Sequence, residues 1–467
     1  MSPILRTTLL TLTSGILLAL CLPPYNVEWV GWFAVAPVLI AAQGRRLFEA
    51  MGLGMVASAI CGVLHVGWEP KPLLMLAGYV PFLWLSMLVG TITIVGSITR
   101  PKLAAKNGLL WVLLLASSGV MAEWLTTLSP LPLYLAVCQF QNLPLIQIAA
   151  VTGIWGVSFL VWWVNAVIAD AALRRQPFTP IIAATAVGLI TVHSYGAFTL
   201  TSLRQAHTPS LRVAAIQDRE VDATRIELTR QAVRQGAQLV VGSEECLGSS
   251  FIPAKDDDSS RKLARSLKAY LVVGYQEEAS PKLFNCAALV APDGKVAGIH
   301  RKIHLFSDER QITQPGHDVR AFATSFGKVG MEICYDSCFT DVTRHLAQDG
   351  AQIIAMPNYD PPTPHGILHY LHGALQPFRA IENRVPFVRT DSNGLCQIVD
   401  VSGHIIGQTP LNASTVLVRD VTLGNGQGTV FTRYGDWFAY LCGLIVVILL
   451  RLIKTQRTQS VSDGLPL

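Results

Sequence analysis

The sequence carries little charge for its length. Of its 467 residues, 14% are charged and 51% are hydrophobic, whereas a soluble globular protein carries about 25% charged residues. The shortage is concentrated in residues 1–200, while residues 205–435 have the composition of an ordinary soluble domain. The net charge of +5 is small, and the basic residues lie in short segments between apolar runs. A nucleic-acid-binding surface is therefore not expected, and the two regions are predicted to face different solvents, lipid and water.

Several common site patterns are absent. The nine cysteines are odd in number and irregularly spaced, and none forms a C-x-x-C pair, which disfavours a disulfide framework or a zinc site. No GxGxxG, Walker, HExxH or GxSxG motif occurs, so nucleotide binding, zinc proteases and serine hydrolases lose support. No metal or cofactor is predicted. A single reactive thiol remains possible.

Long apolar runs dominate the first part of the chain and return near its end. A bilayer core requires about 20 apolar residues per helix, and runs of suitable length recur with little between them. The first run, Leu9–Leu22, lacks a small-x-small cleavage site and is interpreted as a retained span. The predicted multi-span α-helical membrane bundle has eight spans, at 7–24, 28–43, 48–66, 72–98, 108–128, 144–172, 179–199 and 437–453.

The positions of Lys and Arg predict the orientation of these spans. Basic residues follow the even-numbered spans, whereas the loops after spans one, three and five contain only Lys71. Basic loops face the cytoplasm, so both termini are predicted to be cytoplasmic. The large segment between spans seven and eight then lies on the far side, which in a bacterium is the periplasm. The basic residues are Arg45, Arg46, Arg100, Lys102, Lys106, Arg174, Arg175, Arg451, Lys454 and Arg457.

One acidic residue lies inside a predicted span. Glu123 occurs in Met-Ala-Glu-Trp near the outer end of the fifth span. A carboxylate inside the membrane is costly and is often functional. A hydrogen-bonded carboxylate at the interface near Trp124 is an equally good interpretation.

The segment between the last two spans has the pattern of an α/β sandwich. Short β-branched runs alternate with polar helical stretches at 222–235, 256–268, 340–349 and 366–383, which is typical of sheets covered by helices. Turns at Pro292-Asp293-Gly294 and Ser402-Gly403 predict two hairpins. The predicted strands are Leu211–Gln217, Gln238–Ser243, Tyr270–Tyr275, Asn285–Ala291, Val296–His300, Val329–Tyr335, Gln352–Met356, Phe387–Arg389, Cys396–Asp400 and His404–Gln408.

Three predicted strand ends in this segment carry reactive groups: Glu244, Lys302 and Cys334. A carboxylate can take the proton of a thiol, and an ammonium can stabilise both the thiolate and the oxyanion that forms when it attacks a carbonyl. Singly, each has an ordinary explanation, because a Cys after an apolar strand is usually a core residue and a Glu or Lys in a loop is usually solvated. Their joint occurrence favours a catalytic set.

The order Glu…Lys…Cys resembles the nitrilase, or carbon–nitrogen hydrolase, superfamily. The strings Arg301-Lys302-x-His304-Leu305 and Cys334-Tyr335-Asp336 are similar to its lysine and cysteine motifs. The whole chain resembles one branch, the apolipoprotein N-acyltransferase family. Further similar motifs are Leu22-Pro23-Pro24, Trp32-Phe33-Ala34-x-x-Pro37, Gln139-x-x-Asn142-x-Pro144, Gly153-x-x-Gly156-Val157-Ser158-Phe159, Arg379-Ala380-Ile381-Glu382-Asn383, Asn393-Gly394 and Thr432-Arg433-Tyr434-Gly435-Asp436-Trp437.

The resemblance implies an architecture and a location. That family has seven spans, a periplasmic nitrilase-like domain with an α-β-β-α sandwich, and an eighth span. The implied boundaries are 1–204 for the first membrane region, 205–435 for the catalytic domain and 436–467 for the last helix and cytoplasmic tail. A monomer in the bacterial inner membrane is expected.

The resemblance also implies a reaction and its residues. Glu244 would be the general base, Cys334 the nucleophile and Lys302 the oxyanion donor, although the adjacent Glu245 is an alternative base. A membrane phospholipid would donate an acyl chain to Cys334, and the α-amino group of a diacylglyceryl-cysteine on a lipoprotein would accept it. Glu309, or less expectedly Asp308, would orient the lysine, and a solvated loop charge is the competing interpretation. Other supporting candidates are Tyr335, Asp336 (the family usually has Glu), Asn358, His372, Arg379 and Glu382.

Other interpretations stay open. A membrane-tethered amidase would use the same three residues with water as the acceptor, and a non-catalytic lipid- or lipoprotein-binding protein could use a degenerate scaffold. Loops 246–256, 306–318 and 359–366 are candidates for a lipid-facing mouth. Their apolar residues could instead pack against the domain; these are Phe251, Ile252, Leu305 and Phe306.

Overall fold

The chain divides into two compact units, which we call the helical unit and the sandwich unit. The helical unit comprises Met1–Ile148, Ile154–Ala197 and Asp436–Leu467, and the sandwich unit comprises Ala149–Gly153 and Phe198–Gly435. The computed structural model describes residues 2–66, 89–93, 95–100, 103, 108–128, 132–174, 180–205, 209–218, 222–247, 250–306, 309–361 and 366–462.

Six helices of the described residues are long and apolar enough to cross a membrane. They correspond to the first, third, fifth, sixth, seventh and eighth predicted spans, and a multi-span helical architecture is thereby confirmed. Within the longer helices Leu47–Val66 and Trp437–Ser462, the apolar segment ends at His65 and Thr455. The six segments are Pro3–Cys21, Leu47–His65, Gly108–Thr126, Ile154–Arg174, Pro180–Gln205 and Trp437–Thr455.

The second predicted span, 28–43, is not one continuous helix. It forms a short 3₁₀ helix, Glu28–Trp32, and a separate α-helix, Ala36–Ala41. Pro37 lies in the first turn of the second piece, where its missing N–H and fixed φ favour a helix start rather than a helix interior. The buried side chain of Asn165 accepts two backbone N–H groups at this start, at 2.8 and 2.9 Å.

The sixth predicted span, 144–172, is also interrupted. Two short helices, Leu143–Ile146 and Ala149–Thr152, precede the long helix, which begins only at Ile154. Gly153 separates them with a φ of +68°, a left-handed conformation that ends an α-helix. Most of the predicted fourth span, 72–98, lies outside the described residues, and its described part is helical from 89 to 93 and from 95 to 98.

The carboxylate of Glu123 accepts hydrogen bonds from other residues of the helical unit. It is fully buried and accepts hydrogen bonds from Trp162 Nε1 at 2.7 Å, from the Leu135 N–H at 3.2 Å and from the Ser158 hydroxyl. Trp124 instead donates to a different carboxylate. The contacts therefore join three segments of the bundle around Glu123, which is a hydrogen-bonded carboxylate whose donors are residues other than Trp124.

Apolar side chains both fill the helical unit and cover its outside. Trp111, Trp155 and Trp162 are buried in its interior. By contrast, the helix Pro180–Gln205 buries only Gly196 among its side chains, although most of its residues are apolar. Exposure of so much apolar surface is expected when the surrounding solvent is lipid.

The sandwich unit contains two six-stranded sheets. Their orders are β12-β1-β2-β3-β4-β5 and β11-β10-β9-β8-β7-β6. In each sheet three consecutive central strands are parallel, β1-β2-β3 and β7-β8-β9, and the remaining pairs are antiparallel. The strands are β1 Ser210–Gln217, β2 Leu239–Val241, β3 Tyr270–Glu277, β4 Phe284–Val290, β5 Val296–Arg301, β6 Ala321–Thr324, β7 Gly327–Met331, β8 Ile353–Asn358, β9 Phe387–Asp391, β10 Gln397–Val399, β11 Ile405–Gln408 and β12 Thr415–Thr422.

Helices cover the outer face of each sheet. Ala232 and Ala264, from the helices Asp222–Arg234 and Ser259–Leu267, share one hydrophobic core with strands of the first sheet. A second core joins strands of the second sheet to its own helices. This arrangement confirms the predicted α-β-β-α sandwich. The other helices of the unit are Ala149–Thr152, Glu309–Ile312, Asp341–Gln348, Ile367–Gly373, Gln376–Asn383 and Val430–Tyr434.

The local predictions differ from the structure in three places. The helix predicted at 366–383 is two helices, because Pro377 begins a new first turn. The strand predicted at Val329–Tyr335 ends at Met331, and a 3₁₀ turn follows. Strands β6 and β12 were not predicted, since both are largely half-buried or exposed and lack a continuous apolar run.

Candidate active site

The two sheets bring the three predicted reactive residues to one region. Glu244 lies in the turn after β2, Lys302 directly follows β5, and Cys334 opens the 3₁₀ turn Cys334–Cys338 after β7. Cys334 has a φ of +47°, a left-handed conformation that non-glycine residues rarely adopt and that is concentrated at functional sites. Gly274 allows the Glu244 turn to approach β3, since a Cβ there would lie 2.4 Å from the carbonyl oxygen of Ser243.

Four side chains form what we call the glutamate–lysine cluster: Glu244, Asn285, Lys302 and Glu309. Lys302 Nζ donates to Glu244 Oε1 and to Glu309 Oε2, both at 2.8 Å. Asn285 Nδ2 donates to Glu244 Oε1 at 2.8 Å and to Glu309 Oε1 at 2.7 Å. One ammonium is thus shared by two carboxylates, and one amide bridges the same pair. Glu245, the alternative base, lies outside this set of contacts.

Burial and charge shift the pKa values of the reactive trio. Burial raises the pKa of Glu244, although the charge of Lys302 opposes this. Burial opposes the charge of Lys302, but Glu244, Cys334 and Glu309 together hold its pKa well above its ordinary value. Burial, reinforced by the negative charge of Glu244, raises the pKa of the Cys334 thiol well above its ordinary value. A raised pKa favours the neutral thiol of Cys334, and a thiol in this state would need a base before it could act as a nucleophile.

Asp336 ties the lysine segment to the cysteine turn. Its carboxylate is fully buried and accepts the backbone N–H groups of Ile303 at 3.1 Å, His304 at 2.8 Å and Ile333 at 3.0 Å. His300 Nε2 lies 3.2 Å from the other side of the same carboxylate. Residues on both sides of the gap between Lys302 and Cys334 are thus held by one side chain. The neighbouring Tyr335 packs its ring edge-on against Phe306 and Phe339.

A second set of buried charges lies next to Cys334, and we call it the aspartate–histidine–arginine cluster: Asp360, His369, His372, Arg389 and Asp391. His372 Nδ1 lies 2.9 Å from Asp360 Oδ1, and Arg389 donates to both Asp360 and Asp391. His369 Nδ1 lies 3.2 Å from Asp391 Oδ2. Although burial alone would lower it, the charge of Asp360 raises the pKa of His372 to about 10. The reciprocal charges of His372 and Arg389 hold the pKa of Asp360 far below its usual range, against the effect of burial.

This second cluster contains the residues best placed to hold a metal ion. Cys334 Sγ, an oxygen of Asp360 and a ring nitrogen of His372 lie within 4.8 Å of one another, as do donor atoms of Asp360, His369 and Asp391. In both groups, however, the carboxylates already face the guanidinium of Arg389 and a histidine ring. Protein cations therefore compensate the negative charge that would attract a metal.

The remaining predicted residues bond to groups around the reactive trio, and the Asn358 carbonyl accepts the backbone N–H of Glu244 at 3.4 Å. Asn358 Nδ2 donates to Asp391 Oδ2 at 2.8 Å. Arg379 donates to the carbonyl of Phe339 at 2.7 Å and to Glu382 Oε1 at 3.0 Å, so this pair packs behind the cysteine turn. None of Asn358, Arg379 and Glu382 donates a side-chain hydrogen bond to Glu244, Lys302 or Cys334 in the part of the chain that the structure describes.

The predicted lipid-facing residues divide into two groups. Phe251 and Leu305 are buried, and Phe251 packs edge-on against Tyr275. These two residues therefore pack against the domain, which is the second of the two interpretations. Ile252 is 48% exposed. Residues 248–249, 307–308 and 362–365 of the proposed loops lie outside the described residues, and so does Asp308.

Sequence reasoning missed five polar residues of the two clusters as individual candidates: Asn285, Asp360, His369, Arg389 and Asp391. A signal existed for some of them. A buried strand with one polar residue in an apolar run, as in Phe-Asn-Cys-Ala-Ala-Leu-Val, requires a hydrogen-bond partner for that residue. The identity of the partner is not encoded locally.

Known proteins are similar to both units. The family described as "Carbon-nitrogen hydrolase" matches residues 202–429, and the "Apolipoprotein N-acyltransferase N-terminal domain" matches residues 14–167. An apolipoprotein N-acyltransferase of Geobacter metallireducens is 29% identical over 503 residues, covering 94% of this chain and 93% of that protein. An omega-amidase NIT2 of Mus musculus is 30% identical over 228 residues, covering 42% of this chain and 80% of that protein. A solved carbon-nitrogen hydrolase from Helicobacter pylori G27 is 19% identical with a TM-score of 0.41, and the match covers 50% of this chain and 95% of that chain.

Proposed function

Because the chain belongs to the apolipoprotein N-acyltransferases of the carbon–nitrogen hydrolase superfamily, we propose that it moves a fatty acyl chain from a membrane phospholipid to a lipoprotein. The acyl chain passes through a thioester on Cys334. The acceptor is the α-amino group of a diacylglyceryl-cysteine, and the product is a triacylated lipoprotein.

The hydrogen bonding of Glu244 is the observation that carries the chemistry. Its Oε1 accepts from both Lys302 and Asn285, whereas Oε2 has no such donor among the described residues. A carboxylate oxygen that already accepts two hydrogen bonds is a poor proton acceptor, so Oε2 is the base. Glu244 thereby keeps one oxygen for Lys302 and uses the other for the thiol proton.

The first half-reaction begins with proton transfer from Cys334 Sγ to Glu244 Oε2. The thiolate attacks the ester carbonyl carbon, and the carbonyl oxygen becomes an oxyanion. Lys302 has three N–H groups, of which two are donated to Glu244 and Glu309, and the third stabilises the oxyanion. The C–O bond then breaks, and the lysophospholipid alcohol leaves with the proton held by Glu244.

The second half-reaction uses the same base. Glu244 removes a proton as the acceptor amine attacks the thioester carbonyl, and Lys302 again stabilises the oxyanion. Collapse of this intermediate forms the amide bond and returns the proton to Cys334. One carboxylate of raised pKa can serve both steps, because it is alternately base and acid.

The apolar helices that accompany the sandwich unit favour acyl transfer over hydrolysis. Both substrates keep their acyl chains in a bilayer, and six helices of the described residues are long enough to cross one. The omega-amidase resembles only 42% of the chain, whereas the match to the acyltransferase of Geobacter metallireducens covers 94%. An amidase uses water as its acceptor, and this reaction does not require helices that hold both substrates at a bilayer.

The chain is a multi-pass bacterial membrane protein, and its orientation is part of the proposal. The basic residues after the even-numbered predicted spans support a cytoplasmic location for both termini and a periplasmic location for the sandwich unit. The inner membrane then presents phospholipid and lipoprotein to the site from its outer leaflet. The enzyme acts as a monomer and without a cofactor.

Intact mass spectrometry of the full chain in detergent tests the central step. Purified protein is incubated with phospholipid, and Cys334→Ala is the matched control. We expect the wild type to gain one fatty-acyl mass that hydroxylamine removes, and the variant to gain none. A folded wild type without the adduct would refute the thioester.

A second measurement separates transferase from amidase. Adding a diacylglyceryl-cysteine peptide to the acylated enzyme is expected to move the acyl mass to the peptide faster than it is lost to water. If the adduct is instead released as free fatty acid at the same rate with and without peptide, the amidase interpretation replaces the transferase.

A further inference from the structure

Asn285 occupies an unusual position for a polar residue. It lies near the start of β4, is 2% exposed, and is followed by buried apolar residues to the end of the strand. Its backbone is held by the sheet, since it pairs with Gln276 of β3 and its carbonyl accepts the N–H of Lys302 at 2.9 Å. The side chain therefore projects from a rigid support directly beside the lysine.

Both N–H groups of the Asn285 amide are committed to carboxylates. Nδ2 donates to Glu244 Oε1 and to Glu309 Oε1, at 2.8 and 2.7 Å. The opposite amide orientation would place Oδ1 against two carboxylates, which is repulsive, so the acceptors themselves select this orientation. The choice leaves Oδ1 buried without a partner among the described residues, a cost that two charge-assisted hydrogen bonds offset.

This geometry controls which oxygen of Glu244 can accept a proton. Lys302 alone would leave Oε1 with one donor and the carboxylate free to rotate about its terminal torsion. With Asn285 as second donor, Oε1 is held between two groups that approach from different elements. The amide also lies between Glu244 and Glu309, whose like charges would otherwise rely on Lys302 alone for compensation.

We propose that Asn285 is a positioning residue that directs Oε2 of Glu244 toward the thiol and keeps Glu244 available as a base. This inference rests on the proposed role of Glu244 as the base of Cys334. It does not require that the acyl donor be a phospholipid, because it concerns only how the thiol loses its proton.

The pH dependence of Cys334 alkylation tests the inference in the full-length protein. The rate of iodoacetamide modification of Cys334 is measured in detergent by peptide mass spectrometry across the pH range in which the protein stays folded. Asn285→Asp keeps the shape of the side chain but replaces the donor with a carboxylate. Asn285→Ser removes the amide. Asn383→Ser is the matched control, since Asn383 is another buried amide of the same unit that donates to the carbonyl of Arg379.

We expect the midpoint of the acid limb to move to higher pH in Asn285→Asp by about one to two pH units, the size of a lost hydrogen bond to a charged group. The direction follows from the lost donor, which lowers the pKa of Glu244 in the wild type, and from the added negative charge. Asn285→Ser is expected to shift in the same direction by a smaller amount, because a water molecule can enter the space and donate to one carboxylate. Asn383→Ser is expected to leave the midpoint unchanged.

Two outcomes would overturn the inference. One is an unchanged midpoint in both Asn285 variants with only a lower melting temperature, which is what a purely structural amide would produce. The other is an equal shift in Asn383→Ser. If the wild type forms no thioester with phospholipid but the Asn285 variants shift the alkylation profile as stated, the proposed acyl donor is wrong and the inference stands.

Discussion

The two buried clusters beside Cys334 balance their charges in different ways. In the glutamate–lysine cluster one ammonium is shared by two carboxylates, and Oε2 of Glu244 has no hydrogen-bond donor among the described residues. In the aspartate–histidine–arginine cluster each of the two carboxylates faces Arg389 and a histidine. The first cluster is deficient in positive charge and retains unused hydrogen-bonding capacity. The second is compensated within itself.

This difference is the one expected between a group that exchanges protons and a group that holds a loop in place. A group that must exchange a proton during a reaction cannot have all its lone pairs committed to fixed donors. A group that holds a loop in place is most stable when they are committed. The clusters lie on the same fold and near the same thiol, so burial alone does not distinguish the proposed catalytic side from the proposed supporting side. What differs is Oε2 of Glu244, which accepts no hydrogen bond among the described residues, whereas Glu309 accepts from Lys302, Asn285 and the Phe306 N–H.

The largest effect on acyl transfer should follow from removing the shared ammonium. Lys302→Met leaves Glu244 and Glu309 buried together without their cation and takes away the oxyanion donor. We expect the rate of thioester formation to fall by about a thousandfold or more, and the free energy of unfolding to fall by about 3–5 kcal/mol unless one carboxyl binds a proton. Single-turnover mass spectrometry and urea unfolding in detergent measure the two quantities.

Lys295→Met is the matched control for that substitution. Lys295 lies in the β4–β5 hairpin, and its side chain is 82% exposed. Its loss should leave both quantities near the wild-type values. Wild-type rates in Lys302→Met would show that the shared cation is dispensable and would remove the contrast between the clusters.

A smaller loss is expected when the base is removed but the cation stays. Glu244→Gln should slow thioester formation by about 10²–10⁴-fold, while Glu245→Gln should change it by less than about twofold, as for a substitution away from the site. Because burial raises the pKa of Glu244, the acid limb of the wild-type rate should lie above the ordinary range of a glutamate. Equal losses in the two variants would contradict the assignment of the base to Glu244.

The smallest effect on rate, with a distinct effect on stability, is expected from the second cluster. Asp360 raises the pKa of His372 from its ordinary value of 6.5 to about 10, so their pairing stabilises the fold fully below about pH 6.5 and is lost as the pH rises through 10. Asp360→Asn should lower the free energy of unfolding at neutral pH and abolish its decline over this range. Thioester formation should slow by no more than about tenfold, because Asp360 takes no part in the proposed proton transfers.

Urea unfolding of the full chain in detergent at several pH values measures this slope. Asp420→Asn is the control, since Asp420 pairs with Arg212 on the exposed edge formed by β1 and β12 and should leave the slope unchanged. A thousandfold loss of rate in Asp360→Asn would instead place the second cluster among the reacting groups.

Much of the architecture was predictable because it depends on short-range patterns. Spans follow from the length of apolar runs, and the ten predicted strands follow from β-branched runs bounded by turns. The exceptions arise at Pro37 and Gly153, where one residue interrupts an otherwise apolar run. The composition of an apolar run indicates that it lies in lipid, but it does not indicate where the backbone hydrogen bonds of the helix are interrupted.

The reactive trio was predictable from position, whereas its supporting residues were not. Glu244, Lys302 and Cys334 each follow a predicted strand, and their chemistry is complementary. Asn285 contacts Glu244, 41 positions earlier, and Glu309, 24 positions later, and no local pattern carries that information. The sequence likewise does not separate Glu244 from Glu245, because adjacent side chains in a turn differ only in direction.

The sequence alone thus determined which segments meet lipid, which form sheets and which residue types could perform acyl transfer. The tertiary structure decided which carboxylate oxygen stays free, which amide holds its neighbour and which charges compensate one another beside the thiol. The physical reason is range. Hydrophobic periodicity is set by neighbours along the chain, whereas hydrogen-bond saturation of a buried group is set by strand register and turn geometry that bring distant residues within about 3 Å.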